Sequence, residues 1–143
     1  MKTEPLKPLR PKVLILNCHE GWNRLFAMSL EDEFEAVCTV RGADALEMVE
    51  QTSFSVVLVE LLMPTMTGLK FVEELHRRNV WTPVILTTAA VRKGEEDRLR
   101  LPPGVFACLA HPIGLERLIS TIKAAIADQT QKTPETEARP EES

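Results

Sequence analysis

The chain has 143 residues, 44 % of them apolar and 27 % charged, with a formal net charge of −4. That is ordinary globular usage and enough length for one domain whose core needs neither a disulfide nor a metal. The acidic balance gives no electrostatic case for nucleic acid, no apolar run is long enough for a membrane span, and the polar start MKTEPLKPLRP has no signal-peptide core. A cytoplasmic protein is expected, with its odd set of cysteines (Cys18, Cys38, Cys108) kept as thiols.

Residues 1–11 are rich in proline and polar groups and read as a disordered tail. A folded unit is expected over 12–128. Val13-Leu14-Ile15-Leu16 is an apolar run of the kind a strand buried on both faces requires. An amphipathic helix follows over 19–31, with Trp22, Leu25, Phe26, Met28 and Leu30 at roughly helical spacing. Residues 36–40 make a second strand, with Cys38 in a buried-strand pattern, and a helix opens at Gly42-Ala43-Asp44. Ser55 to Val59 is the strongest strand signal. A helix over 66–78 points Leu69, Phe71, Val72 and Leu75 inward, and residues 83–87 give a fourth strand, preceded by a structural Trp81. The stretch VRKGEEDRLRLPPG then allows only a short, weakly anchored helix, because Gly94 and Pro102-Pro103 bracket it and Leu99 and Leu101 are its only inward candidates. A fifth strand over 105–109, with Cys108 reading as core, and a helix over 115–128 complete the unit. QTQKTPETEARPEES, 129–143, reads as a second disordered tail. Five strand–helix units in series predict an α/β protein: an open parallel sheet with helices on both faces and right-handed crossovers.

Sites in such sheets lie beyond the carboxyl ends of the strands. Asn17, Cys18 and His19 follow the first strand. Glu60 and then Leu61 to Gly68 follow the third, Thr87-Thr88-Ala89 the fourth, and Ala110-His111-Pro112 the fifth. A carboxylate, a thiol, imidazoles and hydroxyls therefore share one edge, with Trp22 near its mouth.

VVLVELLMPTMTGLKFVEEL resembles the centre of a response-regulator receiver domain: a strand ending in the acceptor carboxylate, a Met-Pro-x-Met-x-Gly turn and a helix. PVILTTA and GVFACLAHPIG resemble that family's fourth and fifth strands, and KVLILNCHE stands where its acidic pair is found. The resemblance covers about 12–128. It implies a three-layer flavodoxin-like fold with strand order 2-1-3-4-5, and a cis His111-Pro112 bond. It also implies a two-component signalling role, exercised by protein contact; Gly-rich phosphate loops, nucleophile elbows and His-Glu-x-x-His are absent, so no cofactor or enzymatic activity of the chain's own is expected. Position by position, the phosphoacceptor Asp is replaced by Glu60, and the Mg²⁺-binding acidic pair by Asn17 and Cys18. The phosphoryl-binding Thr is matched by Thr88, the Lys is replaced by His111, and the switch aromatic by Cys108.

Mg²⁺ takes oxygen ligands, and Cys18 is too soft to serve as one. Without the ion, the charge of a transferring phosphoryl group is poorly neutralised. The expectation is a degenerate pseudo-receiver that signals through a protein partner, a kinase, regulator or output protein. Its contact face would be the fourth helix, fifth strand and fifth helix, with Arg98, Leu99, Leu101, Phe106, Cys108, Leu115 and Leu118, and could also pair two copies. Two alternatives stay open: a metal or redox sensor using Cys18, Glu60 and His111 with His19 as a fourth ligand, and a conventional phosphoacceptor. Glu60 can further be read as a built-in mimic of the phosphorylated state, and His111 as its pH-sensitive partner.

Overall fold

The computed structural model describes residues 10–92, 94–96 and 100–138. The elements are β1 (Lys12–Leu16), α1 (Glu20–Leu30), β2 (Glu35–Thr39), α2 (Gly42–Gln51), β3 (Val56–Glu60), α3 (Gly68–Arg77), β4 (Val84–Thr88), β5 (Val105–Ala110) and α4 (Leu115–Ala138). All strand pairs are parallel and the sheet order is β2-β1-β3-β4-β5, the order the resemblance implies. The His111-Pro112 bond is cis, as the resemblance also implies.

Strand alternation sorts the core into two layers. Leu14, Leu16, Val57, Val59, Val84 and Leu86 point to one side, against Leu46 and Val49 of α2 and Phe71, Val72 and Leu75 of α3. Val13, Ile15, Val56, Leu58 and Ile85 point to the other, against Phe26 and Leu30 of α1 and Leu118 and Ile122 of α4. Each of these large side chains gains about 1.5–3 kcal/mol by leaving water, which is why the three central strands are apolar except at their ends.

Several expectations change. Leu69, expected to point inward from its helix, is 45 % exposed. Cys38 is exposed, because β2 is an edge strand whose α1-facing side is incompletely covered; its thiol donates to Asn23 O at 3.3 Å. Cys108 and Leu118 are buried at 5 % and 2 % exposure and belong to the two core layers, so they leave the expected contact face. In the 91–104 segment Glu95 N donates to Arg92 O at 2.9 Å in a turn, and the short helix expected there falls largely on 97–99, outside the described residues. Finally, α4 runs on to Ala138, past the boundary expected at 128. Of the amino-terminal tail, residues 1–9 lie outside the described residues, while Pro11 O accepts from Glu35 N at 2.9 Å and Arg10 donates to Glu31 O.

Candidate functional site

The turn after β3 sets the site. Gly68 opens α3 directly against the strand end: a Cβ there would lie 2.8 Å from Glu60 O and 3.0 Å from Leu61 Cα, both backbone atoms that cannot yield. Gly68 N donates to Leu61 O at 2.7 Å, and the Thr67 hydroxyl caps α3 by accepting from Lys70 N at 3.1 Å. Gly42 approaches the same turn, since its Cβ would lie 2.8 Å from Met66 Sδ. The Met-Pro-x-Met-x-Gly pattern is thus a packing device that fixes where Glu60 points.

Glu60 is 14 % exposed, and one of its oxygens gathers two donors and an imidazole from three strands' ends. Asn17 Nδ2 lies 3.5 Å from Oε1, the Thr87 hydroxyl 3.3 Å and His111 Nε2 3.6 Å. The imidazole distance is too long for a hydrogen bond. His111 is wedged beside Trp22 and Phe26, with ring centroids 5.1 and 6.1 Å away, and its Nδ1 is buried without a partner. Trp22 does stand at the mouth of the site.

Asn17, Glu60 and His111 are brought together as the sequence led us to expect. Thr88 is not part of that group: it is buried, and its hydroxyl accepts from Ala90 N at 2.9 Å while its carbonyl accepts from His111 N at 2.7 Å. It holds the loop and the start of the His111-Pro112 turn. Thr87, which the motif passes over, makes the contact with Glu60, because the two residues are register partners in adjacent parallel strands. Cys18 and His19 are exposed, and neither side chain hydrogen-bonds within the group. No set of three or more His, Cys, Asp or Glu side chains converges on a metal position among the described residues. Burial, with the nearby charges of Glu96 and Glu60, pushes the Cys108 thiol up to about 11, so it stays protonated and unreactive at neutral pH. The Cys38 thiol, though exposed overall, is partly covered where it meets Asn23 O, and that partial burial also pushes it up.

Of the expected contact face, Leu101, Phe106 and Leu115 are exposed. Phe106 owes this to a bulge: Val84 pairs with Val105 and Ile85 with Ala107, so Phe106 is the unpaired extra residue. Arg98 and Leu99 lie outside the described residues.

Residues 13–123 match the family model of the response regulator receiver domain. The polar-differentiation response regulator DivK of Brucella anthropi is 31 % identical over 121 residues, spanning 81 % of this chain and 96 % of that protein. A sensor protein from Polaromonas sp. JS666 superposes with a TM-score of 0.74 at 28 % identity, over 83 % of this chain and 98 % of the other. A CheY-like receiver domain protein from Methanospirillum hungatei does so with a TM-score of 0.75 at 21 % identity, over 87 % and 99 %. The chain belongs to the response regulator receiver family of two-component signalling.

The residues at this chain's site do not fit the Mg²⁺ that the family uses. Glu60 is the one carboxylate in the group. Asn17 turns its Nδ2, a donor, toward Glu60, and its Oδ1 is occupied by the N–H of His19 at 2.9 Å. A hard cation needs several oxygens, and here the carboxylate oxygen faces an amide N–H, a hydroxyl and an imidazole.

Proposed function

We propose that this receiver is a phosphorylation-independent interaction module that regulates a partner protein in a two-component pathway and carries out no catalysis of its own. The observation that supports this most is the donor set around Glu60. Asn17 and Thr87 already direct donors at the carboxylate, with the His111 imidazole beside it, as they would at a permanent negative charge. An Asp that must attack a phosphoryl group needs an open, metal-neutralised approach. Glu60 is also one methylene longer, and in-line attack loses about 10²-fold for a 1 Å misplacement.

The contact surface in this reading is the 91–104 segment, β5 and the start of α4, where Leu101, Phe106 and Leu115 are exposed apolar groups. The same face can pair two copies. Exposed Cys18 and Cys38 thiols suit a reducing compartment, and no helix among the described residues is long and apolar enough to cross a membrane.

Incubation with acetyl phosphate and Mg²⁺, read by intact mass, tests the reading. The mass is expected to stay unchanged. A stoichiometric gain of one acid-labile phosphoryl group would overturn it in favour of the conventional phosphoacceptor.

A further inference from the structure

Trp81 is 49 % exposed, yet its ring is pinned in place. The His76 imidazole of α3 stacks on one face with centroids 3.8 Å apart, and the indole Nε1 donates to Asn79 Oδ1 at 3.1 Å. Asn79 takes a left-handed backbone, φ 61°, which asparagine adopts more readily than most residues. Gly104 backs the stack: its φ is 89°, and a Cβ there would overlap the His76 ring. These residues fix an indole that leaves nearly half its surface in water, the arrangement of a binding anchor and not of a core ring.

α3 and α4 cover opposite sides of the sheet, so the face of Trp81 that His76 leaves open looks toward α4. There Trp81, Phe106, Asp128 and Gln129 line a crevice of about 380 Å³, together with Pro83 and Val105. Phe106 reaches it as the unpaired residue of the β5 bulge. The described residues lining the crevice include one carboxylate and no cation. Burial pushes the His76 imidazole down, so a neutral ring backs the indole at pH 7. An aromatic face, a carboxylate and an amide oxygen together suit a guanidinium. That planar cation is weakly hydrated, stacks on aromatic rings and takes a carboxylate in two parallel bonds. A lysine ammonium, compact and strongly hydrated, suits them less.

We propose that this crevice binds the guanidinium of an arginine side chain carried by a partner protein, at the edge of the sheet opposite Glu60. The guanidinium plane lies on the open face of Trp81, its N–H groups donate to Asp128 and to Gln129 Oε1, and its methylene stem lies along Phe106. The crevice shares Phe106 with the contact surface proposed above, but depends neither on that surface nor on the chemistry of Glu60.

Two-dimensional NMR of the isotope-labelled full chain, titrated with N-acetyl-L-arginine amide, tests this. Saturable shifts in the millimolar range are expected at the Trp81 indole N–H and at the backbone amides of 104–106, 128 and 129, with those of 17–19 and 60 unmoved. N-acetyl-L-citrulline amide keeps the shape and loses the charge, and should bind at least about fivefold more weakly, as should N-acetyl-L-lysine amide. Asp128→Asn should bring the same loss and Trp81→Leu should abolish saturation, with folding checked by thermal midpoint. If Trp81→Leu does not fold, the citrulline comparison and Asp128→Asn decide. Free L-arginine separates the sources: no cation lines the crevice to take its α-carboxylate, so it should bind no tighter than the capped form. Tighter binding of free arginine would overturn the protein-borne source in favour of a small guanidino metabolite. Absence of saturable shifts, equal binding of the arginine and citrulline forms, or binding indifferent to Asp128→Asn overturns the proposal altogether.

Discussion

The carboxylate of Glu96 reaches two backbone N–H groups, those of Gly94 at 2.6 Å and Ala110 at 3.2 Å, and so ties the 91–104 segment to the end of β5 beside His111. Backbone N–H groups, its own first, hold its carboxyl below the usual range against the opposing pull of burial, with Ala110, Gly94 and the Arg117 charge adding to the effect. A carboxyl held lower in the folded chain stabilises it above the unfolded value of about 4.3, and that stability is lost as pH falls through the folded value. Glu96→Gln is expected to lower the thermal midpoint at pH 7, with the gap to the parent narrowing as pH drops below about 4. Equal midpoints at pH 7 would show that the clasp contributes nothing. Nothing in the sequence marks Glu96, which sits in a charged run that reads as a solvated face. The same holds for Thr87, where the motif draws attention to its neighbour and only the β3–β4 register selects between them. Asn17, Glu60 and His111 were legible because each directly follows an apolar strand, and the carboxyl edge of a parallel sheet gathers such positions.

Gly68 carries a constraint of a different order, since α3 can begin beside Glu60 only without a Cβ. Gly68→Ala is expected to cost about 1–3 kcal/mol, as overpacking against backbone does, and to disturb the Glu60 contacts. Phe71→Ala, in the same helix and fully buried, should cost about 3–5 kcal/mol through its cavity alone. Denaturant midpoints measure both; an unperturbed Gly68→Ala would mean that the turn has slack. At this scale β1, β3 and β4 declare themselves as apolar runs because both of their faces are covered. β2 misled at Cys38 because an edge strand follows the same composition with one side open. The bulge that exposes Phe106 has no signature, since it depends on pairing between strands far apart in sequence. The 91–104 segment was readable as weakly anchored, because composition gives the lack of apolar anchors, but the Glu96 clasp that ties it down was not.

The whole molecule keeps a receiver's sheet order and helical layers while its edge chemistry differs, and this separation can be reversed by substitution. Leu101→Glu with Leu115→Glu changes two exposed side chains, so folding stability should move by no more than about 0.5 kcal/mol each, while partner binding or self-association through this face falls. Analytical ultracentrifugation and binding assays with the partner read that outcome; unchanged association would place the contact elsewhere. Phosphoacceptance should require several changes together. Glu60→Asp shortens the acceptor, but Asn17 Nδ2 still points at it and no second carboxylate joins it, so the single variant should remain essentially unphosphorylated by acetyl phosphate with Mg²⁺. Adding Asn17→Asp, Cys18→Asp and His111→Lys supplies the oxygens and the cation, and these groups act as a unit whose effects are not additive. The combined variant should gain one phosphoryl group by intact mass. Even then, the Leu101–Phe106–Leu115 face should not respond. Cys108, at the family's switch-aromatic position, is a small, buried, protonated thiol packed in the core and has no ring to swing between the site and that face. Hydrogen exchange of 100–118 in the combined variant, with and without phosphorylation, should therefore be the same. Protection that changes there upon phosphorylation would show that the site and the face are coupled by a route that does not pass through residue 108.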